Sequence, residues 1–223
     1  MSTLSQLPLR IVSHLDGPIA LTDGTLRIDA LVMWAKAQLL GLPPPGFAPL
    51  QDVEIPIAKS ECGRVYLCSF ACPRFDQHEG RFVNRRFPVP EAQAMGECGF
   101  NRIRINAGAQ KSYRIPNVVS WPERDELEWF CLGEPEELRS LLAIVTHLGR
   151  RRAVGRGKVH EWIVEPCASW GDGFPVVMSG QPLRSLPLDW PGLDHPDVGN
   201  AVLCPPYWQQ WRESPCALPP QPS

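Results

Sequence analysis

The sequence predicts an α+β protein of the ferredoxin-like or RRM-like type, two βαβ-like halves with one helix each. Three observations carry this expectation. A strand-like segment followed by a helical pattern opens the chain. A second strand-then-helix pair lies at residues 126–149. An apolar strand, "KVHEWIVE", follows the second helix after a basic, glycine-rich run. The predicted core covers residues 1–165. A different, proline- and tryptophan-rich segment, 166–223, is expected to be an irregular extension that packs on the core or on a partner.

"LPLRIVSHLDGPIAL" reads as a strand entering a Gly-Pro turn. In "TLRIDALVMWAKAQLLGL", Leu31, Trp34, Ala35, Gln38, Leu39 and Leu42 recur at helical spacing. Asp23 or Thr25 is placed to cap this helix, and Gly41 and prolines 43–45 end it. "RVYLCSF" and "RIRIN" read as strands, the latter alternating Arg102 and Arg104 with Ile103 and Ile105. Between them, residues 72–99 form a long polar stretch rich in turn residues, and a loop this long inside a compact domain is expected to be functional. "ELEWFCLG" alternates at Leu127, Trp129 and Cys131. "EPEELRSLLAIVTHLG" predicts a helix with Pro135 in the first turn, acids at its start, a Leu138, Leu141, Leu142 and Val145 stripe, and Gly149 as its stop. In the tail, one short helix is expected near "YWQQWRE".

The 223 residues suit one large domain or a domain with an appendage, and 43% hydrophobic content suffices for a packed core. Net charge is only −2, yet its distribution is uneven. Residues 59–114 hold ten Lys/Arg against five Asp/Glu, and residues 123–137 hold seven acids and one arginine. Such asymmetry speaks of partners more than the total does. The first ten residues carry no signal-peptide pattern and no apolar run reaches membrane-spanning length, so a cytoplasmic protein without membrane contact is expected. The eight cysteines include no CxxC pair and are expected to be free, mostly buried thiols. Cys62, Cys68, Cys72 and His78 fit no common structural zinc spacing. No metal or cofactor is expected.

Residues 149–158 contain four arginines, a lysine, three glycines and no acid. Gly149, Gly155 and Gly157 let the backbone turn and let a ligand approach the main chain. Arg150, Arg151, Arg152, Arg156 and Lys158 supply charge, and the combination is an anion site. It is not a Walker A loop, because Arg156 and Gly157 follow Gly155, and it runs from helix to strand, the reverse of a Rossmann turn. A polyphosphate backbone fits it better than a nucleotide. "GRFVNRRFP" interleaves Arg81, Asn84, Arg85 and Arg86 with Phe82 and Phe87, the mixture that single-stranded nucleic acid uses. "KSYR", which is Lys111, Ser112, Tyr113 and Arg114, and the weaker "KSECGR" with Lys59, Ser60 and Arg64 offer further phosphate and base partners. Catalytic signals are sparse. His147 and His160 are candidate general acids or bases, with no nucleophile elbow, zincin or paired-carboxylate motif beside them.

With these residues in view, "LLAIVTHLGRRRAVGRGKVHEWIVE" resembles the helix, glycine-rich loop and strand of RAMP proteins, the RRM-derived subunits of CRISPR effectors. "IPIAKSECGRVYLCSF", "RFVNRRFP", "KSYRIP" and "ELEWFCLG" are similar to the type IV, Cas-five-like subunit that caps the guide RNA. The resemblance covers about residues 8–165. It implies a RAMP core with an inserted thumb at about 72–99 and a non-catalytic subunit that grips the crRNA 5′ handle. It also implies contact with the backbone RAMP subunits and the large subunit, with target DNA reached only through the complex. Under it, the 149–157 loop holds the handle. The alternative is a metal-independent endoribonuclease acting on the CRISPR repeat, with Lys111, Tyr113 and His147 as its constellation.

Overall fold

The computed structural model describes residues 6–21, 25–42, 53–71, 75–85, 113–150, 152–207 and 209–220, with backbone only for 81–85 and 113–118. Its centre is a three-stranded antiparallel sheet. Strand β1 (Leu7–Leu15) lies between β6 (Glu126–Gly133) and β7 (Val159–Pro166). Alternation in β1 and β6 puts Leu9, Ile11 and Leu15 with Leu127, Trp129 and Cys131 on one buried face. Two helices cover that face, α1 (Ile28–Leu39) and α2 (Pro135–Leu142). They are linked by the Lys36–Glu137 ion pair. The result is α+β with mostly antiparallel strands.

Both helices exist where the sequence places them, with different details. The buried face of α1 is Ile28, Asp29, Val32, Met33, Ala35 and Ala37, while Gln38 and Leu39 are exposed. Its N-cap is Arg27 without a side-chain cap bond, and Asp23 lies outside the described residues. Helix α2 is shorter than the predicted 134–149 span. Glu134 caps it by accepting from the Glu136 and Glu137 amides. It stops at Leu142 because the next amides turn to carbonyls three residues back, Ile144 N to Leu141 O at 3.2 Å and Val145 N to Leu142 O at 2.9 Å. Past that turn, Val145 O and Thr146 O accept from Trp162 Nε1 and Val159 N, each at 2.9 Å.

The "RVYLCSF" segment is a correction. Only Phe70–Ala71 forms strand β3, which pairs with β2 (Leu26–Arg27). Residues 57–71 do run along the outer edge of β6, through bridges Ile57↔Gly133 and Cys68↔Cys131. They do so irregularly, because Arg184 Nη1 binds the carbonyls of Tyr66 and Cys68 at 2.7 and 3.3 Å. The polar stretch after it contains β4 (Phe75–Arg85), which pairs with β5 (Tyr113–Pro122) in a two-stranded ribbon. The expected strand at 102–106, most of the expected thumb and prolines 43–45 lie outside the described residues.

The tail has more regular structure than expected. Strands β10 (Leu186–Pro187), β12 (Ser214–Leu218) and β11 (Asp197–Ala201) form a small sheet, and β8 (Val177–Met178) pairs with β9 (Gln181–Pro182). They pack around Val65, Val176, Val177, Leu186 and Ala217. Near "YWQQWRE" a 3-10 turn, Gln210–Arg212, stands in place of the expected helix. One buried polar cluster fastens the tail to α1. Arg184 Nη2 donates to Asp29 Oδ2 at 3.1 Å, to Leu203 O at 2.7 Å and to the Tyr207 hydroxyl at 2.8 Å. Tyr207 donates to the same Asp29 oxygen at 2.6 Å, and burial pushes its hydroxyl pKa well up, which keeps that proton in place.

No helix among the described residues is long and apolar enough to cross a membrane. The six described cysteines are free thiols, with Cys68, Cys131 and Cys216 buried. No cluster of three or more metal-binding side chains occurs among the described residues, and Cys72 lies outside them.

Candidate nucleic-acid interface

The five residues 16–20 that follow β1 are the hub of the site. Asp16 N donates to Lys158 O, and Pro18 O accepts from Gly157 N. Ile19 exchanges both main-chain bonds with Ser120 at 2.8 Å, and Ala20 O accepts from Arg150 N at 2.7 Å. One short turn therefore holds both ends of the glycine-rich loop and the base of the β4–β5 ribbon. Two cation-bearing segments distant in sequence are tied to this turn.

The loop's glycines are required by its geometry at two positions. Gly149 has φ +72° and Gly157 φ +63°. A Cβ on Gly149 would lie 2.5 Å from Ala20 O, and one on Gly157 would lie 2.1 Å from Leu148 O. Gly155, also at positive φ, faces open space. Gly157→Ala is therefore expected to lower the melting temperature by about 6 °C or more, against about 3 °C for Gly155→Ala, as thermal unfolding would read.

The cations differ in what they do. Lys158 is paired with Asp16 at 2.7 Å and holds that carboxyl below the usual range, with His160 3.5 Å away on the other oxygen. No described carboxylate pairs with Arg150, Arg152 or Arg156. Arg150 and Arg152 are exposed, Arg156 is half-buried, and Arg151 lies outside the described residues. His147 bridges to Lys158 through the backbone, and its Nδ1 lies 3.1 Å from Thr146 Oγ1. It follows α2 rather than standing on its last turn.

The ribbon joins two of the sequence motifs. Asn84 is the register partner of Arg114, Arg85 of Tyr113, and Arg81 of Asn117. Arg86, Lys111 and Ser112 lie outside the described residues. Lys59, Ser60 and Arg64 are placed elsewhere, on a tight turn closed by the Lys59↔Tyr66 bridge. There Lys59 stands 5.0 Å over the Tyr66 ring, and Arg64 pairs with Asp189 of the tail at 3.2 Å. Ser60 Oγ lies 3.2 Å from the exposed Cys62 thiol, and with Arg64 it lowers that thiol's pKa to about 7.

The face of the central sheet opposite the helices has the opposite sign. It carries Glu126 and Glu128 on β6 and Glu161 and Glu165 on β7, around Arg10, Val12 and His14. Arg10 is held by Glu128 and, at 2.9 Å, by Glu165. Tail residues Trp170 and Phe174 pack on Phe130 at the far end of this face. This sheet face is thus acidic, and cations gather at the glycine-rich loop instead.

Residues 73–219 match the family model described as CRISPR type IV associated protein Csf3. The chain belongs to this family. No curated protein matches it. The type IV CRISPR-associated family makes the chain a component of a CRISPR effector complex. The match spans the ribbon, β6, α2, the glycine-rich loop and nearly all of the tail. The tail, which the sequence resemblance left out, thus lies inside the family pattern, in keeping with its fastening to the core through Arg184.

Proposed function

We propose that this type IV CRISPR-associated chain is the non-catalytic subunit that binds the crRNA and caps its 5′ handle. In this reading it is a Cas-five-like RAMP protein that contacts the backbone RAMP subunits and the large subunit. The order 57–71 segment, β6, β1, β7, with helices following β1 and β6, supports a ferredoxin-like core whose second strand is broken by Arg184. The observation that carries the reading is the 16–20 hub, which ties a rigid, cation-bearing loop to the ribbon. A backbone fixed by its own hydrogen bonds presents Arg150 and Arg152 without first having to order the loop, so less binding energy is lost to entropy. Arginine suits phosphate oxygens through paired N–H donors. The acidic sheet face repels the same polyanion and directs it to the loop. The glycine-rich loop supplies positioning rather than turnover, and the ribbon supplies the thumb.

The test is affinity for a repeat-derived RNA across a salt series. Three phosphates neutralised by Arg150, Arg152 and Arg156 give a slope of log affinity against log salt of about −2. Deleting the handle is expected to weaken binding more than deleting an equal length of guide. A slope near zero, or indifference to the handle, would overturn the proposal.

A further inference from the structure

We propose that the cleft between α1 and the glycine-rich loop is a pocket for one unstacked nucleobase of the bound RNA, an inference that rests on the RNA-binding reading above. The cleft has a volume of about 330 Å³, in the range of small-ligand pockets. Trp34, Leu26, Leu31 and Val145 form its apolar wall, and His147 and Arg152 stand with Arg150 around it. No described carboxylate lines it. Two other clefts among the described residues differ on this point. Each is lined by three glutamates, Glu123, Glu126 and Glu128 in one, and Glu54, Glu134 and Glu137 in the other. An RNA segment arriving at the loop therefore meets a cleft of compatible sign beside it.

The geometry fits a flat aromatic guest. Trp34 is half-buried on α1, its neighbours Val32, Met33 and Ala35 fixed in the core. The Arg152 guanidinium carbon lies 5.9 Å from the Trp34 ring centroid. A base stacked between two planes needs about 7 Å between them, twice an ordinary contact distance. The exposed Arg152 has to swing out by about 1 Å, a small movement for a side chain on a 3-10 turn (Arg152–Val154). The guest then exchanges one cation–π contact for two stacked faces. Phosphates flanking that base lie within the reach of Arg150, so the pocket and the loop read the same nucleotide. Such a pocket chooses a position along the strand through stacking, and His147 at its wall supplies a ring nitrogen for a base edge.

The experiment is a double-mutant cycle between protein and RNA, using the full chain and a repeat-derived crRNA made abasic at each handle position in turn. With the parent protein, one abasic position is expected to weaken binding about tenfold. With Trp34→Leu that position is expected to cost nothing further. Arg152→Ala, an exposed change that leaves the core intact, is expected to show the same loss of coupling at the same position. If both variants weaken every RNA by the same factor, Trp34 and Arg152 serve only structure and charge, and the pocket is refuted while salt-dependent handle binding stands. If the parent chain binds no repeat RNA at low salt, the RNA-binding reading fails and the pocket fails with it.

Discussion

Asp29→Ala is expected to be the most damaging single substitution outside the glycine-rich loop. Asp29 and Arg184 are both fully buried. Removing the carboxylate leaves a guanidinium in the core with carbonyls for company and no counter-charge. Breaking a buried pair in this way costs about 3–5 kcal/mol. Arg184 keeps its bonds to Tyr66 O and Leu203 O, so the lower part of that range applies. For a chain of this size the melting temperature should fall by about 10 °C. Tyr207 also loses the acceptor for its hydroxyl proton. The tail should loosen first, seen as new proteolytic cuts within residues 185–220. Asp29→Ala combined with Arg184→Met removes the stranded charge and should recover much of the loss. A single variant melting within about 1 °C of the parent would show that the cluster does not hold the tail.

The second large effect is on binding. Arg150→Ala, Arg152→Ala and Arg156→Ala together remove the loop cations without a described carboxylate partner. At about 1–1.5 kcal/mol for each charge-assisted contact, affinity for the handle should fall roughly 150- to 2000-fold at moderate salt. The salt slope should fall in step. Lys158→Ala should cost much less, because its ammonium is already paired with Asp16. The fold should hold in the triple variant, since the loop is fastened by main-chain bonds and by Gly149 and Gly157. Filter binding or anisotropy reads the affinity and a thermal melt reads the fold. A triple variant that binds like the parent would reduce the loop to a structural turn.

What the sequence discloses here depends on how local each cause is. The alternation of β6 was legible because Leu127, Trp129 and Cys131 face one core from one strand. The glycine-rich loop was legible as a turn because its glycines lie close together in sequence, and Gly149, Gly155 and Gly157 all take positive φ. The inner face of α1 was not. Leu39 is 64% exposed and Asp29 is fully buried, since the partner that makes burial of Asp29 possible stands 155 residues away. The end of α2 was hidden for a similar reason, because the chain after Leu142 tightens and then bonds to β7, with Val145 O accepting from Trp162 Nε1 and Thr146 O from Val159 N. Strand β4 carries little apolar alternation in "FDQHEG", and its order comes from the ladder with β5 rather than from burial. Nor does composition reveal that Lys158 and Arg64 are already matched to Asp16 and Asp189, or that Trp34 stands beside Arg152. Each of these depends on contacts that only the fold creates.

Whether the chain caps the guide RNA without turnover is decided by co-purifying it with a repeat-derived crRNA at moderate and high salt and sizing the ends of the bound RNA. Intact RNA, retained through its 5′ handle at moderate salt and released at high salt, is the predicted result. RNA trimmed at the repeat by this chain alone, in the presence of a chelator, would contradict it. The chain would then be a metal-independent nuclease, and Lys111, Tyr113 and His147 would be the residues to change first.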